Sequence, residues 1–88
     1  MTDKEAIKIL KAVANNNRFA ILKSLQKSEE MSVGDLAEMI NLPFRSVSRD
    51  LFVLRKANLV LTKNHYSTRL YSINFQDFPK ALLSFLEG

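Results

Sequence analysis

The chain has 88 residues, 47% of them hydrophobic, with a formal net charge of +4, a single histidine and no cysteine. That length holds one domain, expected to span residues 1–88, and so small a fold buries only about 60–65% of its unfolded surface, so the apolar surplus points to oligomerisation. Lack of cysteine excludes disulfides and thiolate metal sites, and no apolar run approaches the ~20 residues that cross a membrane. With a charged N-terminus and nothing like a signal peptide, the chain reads as soluble and cytoplasmic.

Residues 3–14 predict a first helix with two adjacent apolar stripes, Ala6-Ile9-Val13 and Ile7-Leu10-Ala14, an arc wider than one core face requires. Asn15, Asn16 and Asn17 interrupt it and supply capping side chains for a second helix. That helix runs to about Lys27, with Phe19, Ile21, Leu22 and Leu25 inward, and Ser28-Glu29-Glu30 follows as a polar connection. Ser32 is a suitable N-cap for a short third helix carrying Val33, Leu36, Ala37 and Ile40 at i, i+3, i+4 and i+7, with Asp35 completing a weak capping box. Asn41-Leu42-Pro43 is the turn, since proline ends one helix and is tolerated at the start of the next.

The fourth helix, from Phe44 to about Ala57, carries the most chemistry. Helical spacing stacks Phe44, Val47, Leu51 and Leu54 on one face, while Arg45, Ser48, Arg49 and Lys56 project elsewhere with Phe52 beside them. Arginine donates two bonds to a guanine edge, and serine serves bases or phosphates, so this is the chemistry of a helix laid in the major groove of DNA. The charge distribution agrees. Up to Pro43, six basic and six acidic residues cancel. From Phe44 to Ile73, Arg45, Arg49, Arg55, Lys56, Lys63 and Arg69 face only Asp50, a net +5, and the tail carries −1. A localised surplus is the footprint of a polyanion binder. Solvated charge on an amphipathic helix remains the plainer reading of any single residue.

Asn58 suits the left-handed position after this helix. Leu59–Lys63 and Thr68–Ile73, rich in β-branched and aromatic residues, predict a hairpin around Asn64-His65-Tyr66-Ser67. Phe75, Phe78, Leu82 and Phe85, with Leu83 and Leu86, predict a C-terminal helix. The fold class is therefore mainly α with a small β-hairpin, ordered α-α-α-α-β-β-α: a winged helix-turn-helix with an extra helix at each end.

Over residues 7–73 the chain resembles the ArsR-type (arsenic-repressor-like) winged-helix transcriptional regulators. The resemblance is carried by Leu10-Lys11-Ala12-Val13-Ala14-Asn15, Arg18-Phe19-Ala20-Ile21-Leu22, Met31-Ser32-Val33-Gly34-Asp35-Leu36-Ala37, Val47-Ser48-Arg49, Leu51, and Val53 to Val60. It implies a homodimer packed through the first and last helices, a fourth helix that reads DNA and a hairpin that acts as the wing. The double stripe on the first helix and the aromatic-rich last helix fit this, and place Ile7, Leu10, Phe78, Leu82 and Phe85 at the interface. The last helix closing its own core is the plainer alternative.

On that reading Arg45, Ser46, Ser48 and Arg49, in the N-terminal half of the fourth helix, read bases. Ser32, Lys63, His65, Tyr66 and Arg69 contact phosphate or the minor groove; for Ser32, capping alone is an equal alternative. The chain departs from metal-sensing members, which place cysteines where it has Ser32 and Gly34, so no metal and no cofactor is expected. Asp50 stands where the family often has histidine, either to accept from a cytosine amino group or to pair with a neighbouring arginine. The expected function is a sequence-specific double-stranded DNA-binding regulator, a homodimeric repressor with no readable effector. The alternative is a winged-helix protein-interaction module without specific DNA readout. No acid–base constellation or Gly-rich phosphate loop supports an enzyme.

Overall fold

The computed structural model describes residues 1–88. It contains α1 (Asp3–Val13), α2 (Asn16–Ser28), α3 (Val33–Ile40), α4 (Phe44–Lys56), β1 (Val60–His65), β2 (Thr68–Ile73) and α5 (Lys80–Glu87). The order is the one the sequence predicts, and the helix starts have local causes. Asn15 Oδ1 accepts from the Arg18 amide at 3.0 Å, and Ser32 Oγ from the Asp35 amide at 3.1 Å, each satisfying a donor that the first helical turn leaves free. At α1 the cap is Thr2, unremarked in the sequence. Its hydroxyl accepts from the Glu5 amide, while the Glu5 carboxylate accepts from the Thr2 amide and hydroxyl. Those hydrogen bonds hold the Glu5 carboxyl below its ordinary range. Asn41 (φ 55°) and Asn58 (φ 63°) take the left-handed positions that end α3 and follow α4, where asparagine costs least among residues with a Cβ.

One hydrophobic core forms where α2, α3 and α4 meet the hairpin. Ile21, Leu22 and Leu25 of α2 pack with Leu36 of α3, Val47, Leu51 and Leu54 of α4, and Leu59 and Val60 at the entry to β1. Of the two stripes on α1, the one bearing Ile9 and Val13 turns inward, while Ile7 and Leu10 stay exposed. Phe44, expected on the buried face of α4, is 61% exposed. It occupies the first helical position, and the core covers α4 only from Val47 onward.

The hairpin is antiparallel, with Val60 opposite Ile73 and His65 opposite Thr68. Its loop is two residues, Tyr66-Ser67, shorter than the expected four. Asn64 and His65 extend the ladder, and Tyr66 takes the positive φ (59°) that a two-residue loop requires. Met31 adds a one-residue third strand: its amide donates to the Tyr71 carbonyl at 3.0 Å, and the Tyr71 amide returns a bond at 2.8 Å. The hairpin is thereby clamped to the α2–α3 connection.

The C-terminal region departs most from expectation. The helix begins only at Lys80, because Pro79 disfavours helical backbone at Phe78 and sits well at a helix start. Phe75 to Phe78 instead form a turn on Asn74, whose carbonyl accepts from the amides of Asp77 and Phe78. Phe78, expected at a dimer interface, is 3% exposed and belongs to the core. Leu82 and Leu83 are half-buried and Leu86 is buried, so α5 partly closes its own core, whereas Phe85 stays exposed.

Buried Asn74 holds this turn to the end of α4: its Nδ2 donates to the Asn58 carbonyl at 3.1 Å and to Asp77 Oδ2 at 3.2 Å. Asn74→Ala strands the Asn58 carbonyl and is expected to cost about 1–3 kcal/mol in denaturant unfolding. A change within experimental error would mean that solvent replaces the side chain.

Candidate nucleic-acid interface

The α3–turn–α4 unit presents one side of α4 to solvent, because Val47, Leu51 and Leu54 pin the opposite side to the core. Arg45, Ser48, Arg49, Phe52, Arg55 and Lys56 are all exposed. Of the expected base readers, Arg45, Ser48 and Arg49 lie together on this surface, one helical turn apart. Ser46 does not join them; it is half-buried on the flank.

Asp50 corrects the sequence picture most. Placed by expectation near the outward face, it is 9% exposed and points inward, its Oδ1 3.2 Å from Arg18 Nη1 of α2. The same guanidinium donates through Nε to the Ala12 carbonyl at 2.7 Å and through Nη2 to the Lys11 carbonyl at 3.3 Å. A cation on the last carbonyls of α1 also complements that helix's dipole. The pairing with an arginine that the sequence offered as one option is therefore present, but the partner lies 32 residues away. With Asp50 turned in, α4 exposes four cations and no acid.

On the wing, Lys63, His65, Tyr66 and Arg69 are all exposed, but the register divides them. Side chains alternate along a strand, so Lys63 and His65 share one face of the hairpin while Arg69 projects from the other. Lys63 is also engaged by Glu30 at 3.1 Å, a solvent-exposed pair of the kind worth about 0–1 kcal/mol, readily exchanged for a stronger anion. The Tyr66 ring meets His65 edge-on, with centroids 4.8 Å apart, at the tip. Ser32 caps α3 as expected; its oxygen is occupied by the Asp35 amide, and its hydroxyl proton remains available to donate.

Phe52, beside these cations, is exposed and not covered by the wing. It borders a groove of about 280 Å³ between α1 and α4, with Lys8, Lys11, Val53 and Lys56, and the Lys56 ammonium lies 5.7 Å from its ring centroid. Nowhere do three or more His, Cys, Asp or Glu side chains converge as a metal site would need. No helix is long and apolar enough to cross a membrane.

Asp50 lies on a line with Val47 and Leu54, at i−3 and i+4, and this spacing is the signal that could have placed it inward. Nothing local identifies Arg18 as its partner.

Comparison with known proteins places this geometry. Residues 15–62 match the model of a family described as bacterial regulatory protein, arsR family. The chain is 46% identical over 63 residues to the nodulation protein NolR of Rhizobium meliloti, an alignment covering 72% of this chain and 51% of that protein. It thus spans about half the length of that relative. It is 31% identical to the HTH-type transcriptional regulator YceK of Bacillus subtilis, over 97% of this chain and 86% of YceK. Among solved structures, the crystal structure of NolR from Sinorhizobium fredii superposes with a TM-score of 0.80 at 36% identity, covering 96% of this chain and 79% of that one.

Asp50→Ala leaves Arg18 partly buried without its counter-charge and is expected to destabilise the fold by about 2–3 kcal/mol. Asp50→Asn, which keeps an acceptor for Nη1, should lose less. Urea unfolding distinguishes these outcomes, and a loss below about 0.5 kcal/mol for the alanine variant would place the pair among inconsequential surface bridges.

Proposed function

Because the chain belongs to the arsR family of bacterial regulatory proteins, we propose that it acts as a homodimer binding specific double-stranded DNA to regulate transcription. Its place is the cytoplasm, and it carries out no catalysis. The observation that carries this reading is the α4 surface: Arg45, Ser48 and Arg49 project together with no acid beside them, because Asp50 is drawn inward to Arg18. Major-groove readout needs such forked donors at the N-terminal end of a helix. Wing residues Lys63, His65, Tyr66 and Arg69, with Ser32 at the start of α3, then hold the duplex by phosphate contact, which sets register rather than sequence preference. Ser46 contributes through its half-exposed hydroxyl at most.

The dimer rests on apolar surface that the protomer leaves uncovered. Ile7 and Leu10 of α1 are 52% and 53% exposed and Phe85 of α5 is 61% exposed, with Leu82 half-buried. Burying these on a second copy, across a two-fold axis, supplies the hydrophobic contact a chain this small lacks. Phe78 is no part of that interface. Occlusion of a promoter is the form of regulation that asks nothing beyond duplex binding, and we take the protein as a repressor on that ground.

If a dimer neutralises ~6–8 phosphates, log K against log salt is expected to fall with a slope of about −5 to −7. A complex insensitive to salt would instead favour a protein partner on the same face. Arg49→Ala should cost about 1–3 kcal/mol on the specific site and less on random duplex; equal losses on both would reduce Arg49 to a phosphate contact. Light scattering should give the mass of two chains for the native protein and of one for Leu10→Glu. A native monomer at micromolar concentration would overturn the dimer.

A further inference from the structure

With Asp50 turned inward, Val47 in the core and Ser46 half-buried, the first two turns of α4 expose four side chains: Phe44, Arg45, Ser48 and Arg49. Three are hydrogen-bonding groups. The fourth is a phenyl ring, 61% exposed, at the first position of the helix. An isolated exposed phenylalanine needs no explanation, but this one stands among the only groups at the end of the helix that enters a groove. Phe44 and Ser48 lie one helical turn apart and share an edge of α4, with Arg45 and Arg49 alongside. No aromatic ring or cation of the chain stacks on Phe44.

The major-groove edge of DNA offers one methyl group, the 5-methyl of thymine, among donors and acceptors. A ring among arginines complements that methyl group, just as guanidinium complements guanine. We propose that Phe44 is a specificity-determining residue that packs against the 5-methyl group of a thymine in each half-site, next to the guanines held by Arg45 and Arg49. This rests on the reading of α4 as the recognition helix. Its consequence is a half-site in which thymine adjoins guanine, with the thymine selected by its methyl rather than by hydrogen bonds.

Replacing thymine by uracil removes that methyl and leaves the Watson–Crick edge untouched. On a duplex enriched from a random pool, uracil at the contacted position is expected to weaken the native protein about 4-fold per half-site, the value of one buried methyl-sized group. Phe44→Ala should bind the thymine duplex more weakly and no longer distinguish it from the uracil duplex, with a smaller loss on random DNA at low salt. Phe44→Leu, which keeps an apolar tip, should retain the distinction. Since the ring is exposed, thermal unfolding of both variants should match the native protein. Native protein that binds thymine and uracil duplexes equally at every position overturns the proposal, as does discrimination that survives in Phe44→Ala. Both results leave α4 as the reading helix. Failure to bind any duplex at low salt removes that reading and Phe44's role together.

Discussion

The Arg18 guanidinium fixes what the rest of the molecule presents. It stands near the start of α2 and reaches in three directions, to the Lys11 and Ala12 carbonyls that end α1 and to the Asp50 carboxylate of α4. One planar group with a fixed fork of donors can hold three elements in a way that a flexible ammonium cannot. The consequence for α4 is rotational. With Val47, Leu51 and Leu54 in the core and Asp50 tied to Arg18, the helix has no freedom to turn its arginines elsewhere. The positive surface is thus partly a product of where the one negative group goes.

That arrangement also joins the two surfaces that matter. α1 carries the exposed apolar residues Ile7 and Leu10, and its last carbonyls rest on the same guanidinium that orients α4. The two surfaces thus share one short, partly buried set of hydrogen bonds. The wing has its own tether: Met31 pairs with Tyr71 and ties β2 to the segment entering α3, so hairpin and helix-turn-helix share one frame.

Most of the fold was legible because its signals are local. Apolar spacing placed all four leading helices, Asn15 and Ser32 marked two of their starts, and β-branched strands marked the hairpin. Structure and sequence pattern part where a stronger local rule overrides periodicity or where a partner is remote. Phe75, Phe78, Leu82 and Phe85 fit a helical stripe, but Pro79 forbids continuing it backward, so Phe78 enters the core from a turn. Phe44 fits the buried stripe of α4, but a first-turn residue overhangs the core it would fill. Asp50 does pair with an arginine, but its spacing from Val47 and Leu54 turns it inward to Arg18 and away from the arginines of its own helix. The division of the wing's cations between two faces depends on register, and one residue's difference in loop length would have reversed it.

The proposed function has two copies of this chain reading DNA through paired α4 helices. It is tested most directly by sequencing the duplexes that the native protein enriches from a random pool. A two-fold dimer should enrich an inverted repeat whose half-sites lie about 10 base pairs apart, or a multiple of that, on one side of the helix. Enrichment of a single unrepeated element, or of nothing above the starting pool, would contradict it.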